Sequence, residues 1–434
     1  VLEAPERLGR LVQRSRGALQ TDPQGWPIVA NEVVALDLSP QAQSQALAAG
    51  FTIIRQERLE ALDLTIVVLR PPRRLSTERA VEALRQISPE TEVTFNHVAT
   101  PADALEPAPL GAAEPARSTQ RSSSGSTGAL GLIDTGVEAT HPTLASSTIE
   151  QRGFSGPARM GAHGTAVASL MVGRHGPLQG GDPGAALLVA DIYGGKADGG
   201  SAVALASALS WLVERRVTVI NISLVGPRNS LIERAVAAAQ ARGAVLVAAV
   251  GNDGPSAPPL FPASYPGVIG VTAVNAQGRV LPEAGRGDQV DFAAPGADMA
   301  AAGQAGRFVS VRGTSFAAPL VAGLIARSGL SALHPTPAGQ AGRDPIYGQG
   351  LVAQDLRTPP QAVGDKIMNK TLMTAAVAIT LAVAGASQAQ ILGGSGGGGL
   401  GGSLGGSLGS QVGGLTGAGS GSLTGNLGGS VDSS

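Results

Sequence analysis

The chain has 434 residues, a formal net charge of -1, 15% charged residues and no cysteine. This length holds two or three domains with a full core, and the near-zero charge gives no footing for a nucleic-acid or anionic-membrane partner. Without cysteine there is no disulfide frame, no thiol nucleophile and no thiolate metal site. Lysine occurs only at Lys196, Lys366 and Lys370, with arginine carrying the remaining positive charge, a bias that suggests a GC-rich bacterial genome.

In chain order, residues 1–29 form an N-terminal extension and residues 30–99 a separate small unit. Within that unit 32–38 reads as a strand, 40–49 as a helix stopped by Gly50, 51–56 and 64–69 as strands, 77–87 as a helix and 91–97 as a strand. The order β-α-β-β-α-β is the ferredoxin-like α+β arrangement. Residues 100–127, rich in Pro, Ala, Ser and Gly, read as a flexible linker. From 128 to 356 strands and helices alternate. Apolar or β-branched runs at 129–133, 185–192, 217–223, 244–250 and 268–274 predict strands, and 201–214 and 231–242 predict helices, the second ending before Gly243. This alternation implies an α/β domain, a parallel sheet wound doubly with helices on both faces.

Three runs in this domain carry chemistry. GLIDTGV at 131–137 delivers Asp134 at the C-terminal end of a strand, where open α/β sheets meet their ligands. HGTAVASL at 163–170 starts a helix at His163, and GTSFAAP at 313–319 starts another at Ser315. In the latter Phe316, Ala317, Leu320, Val321 and Leu324 recur at helical spacing, and Pro319 is read as early enough to be tolerated. A carboxylate, an imidazole and a hydroxyl can form a relay: Asp134 orients His163, His163 takes the proton of Ser315, and Ser315 attacks a carbonyl. Each run alone is weak, since Asp and Gly are ordinary turn residues. A fourth run, VLVAAVGNDG at 245–254, is a strand leading into a turn that places Asn252 to offer its side-chain N–H to an oxyanion, beside the backbone N–H of Ser315.

On these runs, in the order Asp, His, Ser, the chain resembles the subtilases, the subtilisin-like serine endopeptidases. The resemblance implies a three-layer subtilisin-like fold and protein or peptide substrates. NISLVGP at 221–227 resembles the strand that pairs with substrate backbone, with Ser223, Leu224, Val225 and Gly226 forming one wall of the S1 pocket; Ala248, Ala249 and Gly251 resemble the opposite wall. Placed before such a domain, residues 30–99 resemble the family's propeptide, which assists folding and blocks the active site until cleaved. The chain would then be its own inhibitor, with 100–127 as the processing region. IYGQGLV at 346–352 resembles the family's final segment.

Two departures follow. Thr143 stands where subtilases often carry an Asp calcium ligand, and the loop after the His163 helix is short, so no cofactor and no strong calcium site are expected. Val225 stands where the family usually has Gly, and its isopropyl group should narrow S1. Elsewhere, His141 lies in a loop as in the family, and His97, His175 and His334 lack ligand partners at metal spacing. Asp253 is read either as lending S1 negative charge or as a solvated loop residue, and Asp291 as structural.

After a linker at 357–367, residues 368–389 read MNKTLMTAAVAITLAVAGASQA: Lys370, an apolar stretch 372–386, then Ser387 and Ala389 at cleavage spacing. That is the pattern of a signal peptide inside a chain. A membrane anchor is the rival reading, but fifteen residues span only about 22 Å against a hydrocarbon core of about 30 Å. Residues 390–434 are Gly/Ser/Leu low-complexity sequence, too poor in large side chains to bury a core, and disorder is expected. Gly364 to Ile367 can be encoded with a GGAGA run just before the Met368 codon, so the junction reads as two joined reading frames. The expected product is a secreted or periplasmic zymogen. Two alternatives are a sedolisin-like acid peptidase, which needs Glu at His163 and Asp at Asn252, and a non-catalytic subtilase-fold scaffold or surface protein acting through the Gly-rich tail.

Overall fold

The computed structural model describes residues 4–101, 108–112, 128–196 and 198–363; the signal-peptide-like segment 368–389 and the tail 390–434 lie outside the described residues. The N-terminal part contains α1 (Ala4–Arg14), β1 (Leu19–Thr21), β2 (Pro27–Leu36), α2 (Pro40–Ala48), β3 (Thr52–Leu59), β4 (Leu64–Arg70), α3 (Thr77–Ile87) and β5 (Val93–His97). The ferredoxin-like core strands stand in the order β5-β2-β4-β3, every pair antiparallel. Its helices start on serine caps: Ser39 Oγ accepts from the Ala42 N–H and Ser76 Oγ from the Arg79 N–H. β2 starts at Pro27 and not at 32, because residues 27–29 pair with β1 before Asn31, at φ 58°, bends the strand. The extension therefore packs on this sheet, with Leu11 and Val12 of α1 against Leu19, Val29 and Val98.

The larger part contains β8 (Leu130–Asp134), β9 (Ile149–Gly153), α4 (Ala162–Val172), β10 (Arg174–His175), β11 (Leu178–Gln179), β12 (Leu187–Asp191), α5 (Ala202–Glu214), β13 (Val219–Ile222), β14 (Leu224–Val225), α6 (Ser230–Ala241), β15 (Val245–Ala249), β16 (Ile269–Val274), β17 (Phe292–Pro295), β18 (Met299–Ala302), β19 (Arg307–Val311) and α7 (Thr314–Ser328). Parallel strands form one sheet in the order β17-β16-β15-β13-β8-β12-β9. Both faces are buried, which is why these strands read as continuous apolar runs. Leu132, Val189 and Val247 face the layer of α4 and α7. Ile133, Ile220 and Leu246 face the layer of α5 and α6.

From β8 the chain winds outward to one edge and returns through β12, then crosses to β13 and proceeds to the other edge. β8 is thus the point where the winding reverses, and open α/β sheets take their ligands at the carboxyl ends of strands there. The N-terminal sheet lies on the α5/α6 layer: Val34, Leu36, Leu64, Ile66 and Val68 join the same core as Ala204, Leu205 and Ile232. β5 also meets the N-termini of both helices. Asn96 Oδ1 accepts from the Val203 N–H of α5, and Asn229, the cap of α6, donates through Nδ2 to Thr94 Oγ1 and the Phe95 carbonyl. The stretch read as a flexible linker contains two strands, β6 (Thr100–Pro101) on β14 and β7 (Ala108–Ala112) on β19.

Candidate active site

Asp134 is the last residue of β8 and 2% exposed at its side chain; its Oδ1 accepts from the Thr135 N–H at 2.6 Å. His163 is the second residue of α4. The first turn of α4 sits directly on the end of β8 because Gly164 has no Cβ, which would strike the Thr135 carbonyl, and the Gly164 N–H donates to Thr135 Oγ1 at 3.0 Å. His163 Nδ1 stands 2.8 Å from both carboxylate oxygens of Asp134, and Nε2 stands 3.1 Å from Ser315 Oγ. A carboxylate only accepts, so Nδ1 carries the proton, and Nε2 is the acceptor of the Ser315 hydroxyl. Phe316 packs on the imidazole at 5.5 Å between ring centres, and the His163 side chain is 13% exposed.

Ser315 is the second residue of α7, within the first turn, where backbone N–H groups lack helical partners and favour negative charge. Pro319 is the sixth residue of α7, past the position where proline is tolerated without loss; it cannot donate to the Ser315 carbonyl. Ser223 fills that role, its hydroxyl donating to the Ser315 carbonyl at 2.9 Å while accepting from Asn221 Nδ2 at 2.8 Å. Asn252 follows Gly251, which turns the chain after β15 with φ 97°. The Gly251 N–H donates to Thr314 Oγ1 at 3.1 Å and the Thr314 N–H to Asn252 Oδ1 at 3.2 Å. This exchange fixes the Asn252 carboxamide with its oxygen toward α7 and its NH2 on the other side.

The two expected S1 walls face each other and nearly meet. A Cβ on Gly251 would collide with Leu260 Cδ1 and lie 3.5 Å from Val225 Cγ1. Ala248 and Ala249 are fully buried at the end of β15, in the cores on opposite faces of the sheet. Leu224 and Val225 form a strand pair whose partner is the chain's own Pro101 and Thr100. On the other side the Ala99 N–H donates to the Gly200 carbonyl at 2.8 Å, and the Tyr193 hydroxyl donates to the Ala99 carbonyl at 3.1 Å. Burial and the nearby Asp134 and Asp191 carboxylates push the Tyr193 phenol well above its ordinary pKa, keeping it a donor. Sequence reading missed Tyr193 and Gly200; the only signal was the Gly-Gly-Ser run at 199–201, with Ser201 capping α5. Beneath Ala99 lies a pocket lined by Leu205, Leu224, Ile232 and Phe261.

Other residues take structural roles. His141 Nε2–H donates to the Arg307 carbonyl at 3.0 Å, and its Nδ1 accepts from the Thr143 N–H at 3.2 Å. His97 bridges Asp22 Oδ2 at 3.0 Å and Asn229 Nδ2 at 2.9 Å. Asp253 is not a solvated loop residue here: its side chain is 5% exposed and ion-paired with Arg7 of α1 at 2.7 Å. Asp291 Oδ2 accepts from the Gly270 N–H at 2.8 Å, and burial raises its pKa. Among the described residues no group of three or more His, Asp or Glu side chains converges as a metal site.

A buried Asp–His–Ser relay at the reversal point of a parallel sheet, beside a cleft that pairs with extended backbone, defines a serine peptidase. Residues 125–335 match the subtilase family, Peptidase S8. Thermitase of Thermoactinomyces vulgaris is 32% identical over 237 residues, covering 52% of this chain and 84% of thermitase. Subtilisin amylosacchariticus of Bacillus subtilis subsp. amylosacchariticus is 28% identical over 301 residues, 63% of this chain and 77% of that protein. The crystal structure of fervidolysin from Fervidobacterium pennivorans, a keratinolytic enzyme related to subtilisin, aligns with a TM-score of 0.63 at 20% identity. It covers 81% of this chain, which spans 63% of the fervidolysin chain, and at that identity the likeness is one of fold. The chain belongs to the subtilase family and is a serine endopeptidase.

Proposed function

We propose that Asp134, His163 and Ser315 are the catalytic triad of a protease made as a zymogen and exported from a bacterial cell, with the N-terminal unit as its propeptide and inhibitor. The observation that carries this reading is the continuous relay of 2.8 Å and 3.1 Å ending on a serine at a helix N-terminus. Ser315 Oγ attacks the scissile carbonyl as His163 Nε2 takes its proton, and Asp134 stabilises the imidazolium. The oxyanion is met by the Asn252 NH2 and the Ser315 N–H. His163 then protonates the leaving amine, and a water repeats the sequence to release the acyl group.

Inhibition follows from the cleft's occupant. Residues 98–101 lie as a strand between β14 and the segment at Gly200 and Ser201, which is how an extended peptide adds to a sheet edge. The described register ends with Val225 opposite Thr100 and Leu224 opposite Pro101, and we place processing just after this pair. The proposed processing site is the bond after Ala102, whose small side chain suits an S1 pocket narrowed by Val225. Export is supported by kinship with bacterial subtilases; among the described residues no helix is long and apolar enough to cross a membrane. Labelling of the processed protease, freed of its N-terminal unit, by a fluorophosphonate probe tests the triad, with Ser315→Ala as control: labelling of the Ser315→Ala chain, or no labelling of the freed wild type, refutes it. Mass spectrometry of the same pair should show two pieces for wild type and one for Ser315→Ala.

A further inference from the structure

The segment between the N-terminal unit and the protease pairs with the protease at two places. Upstream, Thr100 and Pro101 pair with β14, next to Ser223, whose hydroxyl bonds the Ser315 carbonyl. Downstream, β7 pairs antiparallel with β19, matching Ala108 with Ser310, Pro109 with Val309, Gly111 with Phe308 and Ala112 with Arg307. β19 ends four residues before Ser315. The register slips between Phe308 and Val309, which makes Leu110 the extra residue of a bulge. Bulges re-aim side chains, and Leu110 packs against Leu178, Ala300, Phe308 and Val363. Leu178, Ala300 and Phe308 belong to the protease domain, and Val363 to the segment that directly follows it.

We infer that residues 108–112 are a permanent edge strand of the protease body and not a part of the inhibitor, so that the new N-terminal arm stays docked on β19 after processing. The inference rests on the proposed processing upstream of Ala108. Three observations support it. Without β7 the outer edge of β19 would present bare N–H and C=O groups, a template for pairing with other chains. Pro109, which has no N–H, suits β7 to the outermost position. The arm remains covalently joined to the body, so its docking is intramolecular, whereas cleavage after Ala102 severs Thr100 and Pro101 from it. The partner that β19 selects is thus an extended segment of its own chain with one apolar side chain at the bulge.

Amide hydrogen exchange at residues 308–310 tests this, measured in the uncleaved Ser315→Ala chain and in the processed protease. Slow exchange is expected in both. Adding Leu110→Asp should speed it at least tenfold, while Leu110→Ile should leave it slow; an unchanged melting temperature for the Leu110→Asp chain shows that the body still folds. Equal exchange in parent and Leu110→Asp overturns the inference, as does loss of protection on processing or an N-terminus of the processed protease beyond Ala112. A chain that never processes would refute the zymogen reading instead. In that case the Ser315→Ala comparison still decides whether Leu110 seats β7 on β19.

Discussion

The Ser223 hydroxyl donates to the Ser315 carbonyl because Pro319, four residues along α7, has no N–H to give it. The helix start that carries Ser315 is therefore completed by a side chain from the residue just before β14. Ser223→Ala would remove this buried hydrogen bond, at a cost of about 0.5–1.5 kcal/mol. Pro319→Ala restores a helical donor, so the double variant should lose less stability than Ser223→Ala alone. A thermal-unfolding double-mutant cycle reads the coupling; strict additivity would show that the two residues do not share this carbonyl.

Asn252 is oriented by Thr314, and its NH2 is assigned to the oxyanion, a charge present only in the transition state and its neighbours. Asn252→Ala should lower kcat by about 10² to 10³ with a much smaller change in KM. Steady-state kinetics on a peptide substrate separate the two. A rise in KM alone would place Asn252 in ground-state binding.

Val225 Cγ1 closes on Gly251 across the expected S1 pocket. Small P1 residues such as Ala and Val should be preferred over Phe and Leu, with each pocket methylene worth about 1–3 kcal/mol. Val225→Gly should shift the preference toward larger residues. A peptide-library profile of the wild type dominated by aromatic P1 residues would overturn the assignment.

How far the sequence spoke depended on where each element's stability comes from. The central strands are β-branched runs buried on both faces, and their pattern is local; so are the serine caps of α2, α3 and α5. β17 and β18 read FAAP and MAAA, alanine-rich runs with no strand propensity, held by their neighbours. β6 and β7 lie in a Pro, Ala and Gly-rich stretch that looks like linker, and their partners, Leu224–Val225 and Arg307–Val311, stand over a hundred residues away. The runs around Asp134, His163 and Ser315 stood out because the chemistry proposed for them needs fixed residue types. The Tyr193 and Gly200 contacts, and the pairing of Asp253 with Arg7, are products of tertiary approach alone.

Thr143, where the family often places a calcium ligand, is buried with its hydroxyl 2.9 Å from His141 Nδ1. We propose weak calcium dependence. The melting temperature of the Ser315→Ala chain should differ little between calcium and chelator, since a ligand stabilises only what it binds. A drop of tens of degrees on chelation would place a strong site at other residues.

His141 gives stability a pH dependence of definite sign. Its Nε2–H is committed to the Arg307 carbonyl and its Nδ1 accepts from the Thr143 N–H, so a proton arriving on Nδ1 would face a donor. Burial lowers its pKa in the folded state below the ordinary 6.5. Between that lowered value and 6.5 the unfolded chain binds more protons than the folded one, so stability rises with pH across this window and is lost as pH falls through it. Thermal unfolding of the Ser315→Ala chain should therefore show a declining melting temperature as pH drops below about 6.5, reporting the imidazole's unfolded value. His141→Gln, which cannot titrate, should flatten that part of the profile while lowering stability at pH 8 through the lost packing against Phe308. An identical slope in His141→Gln would assign the pH dependence to other groups.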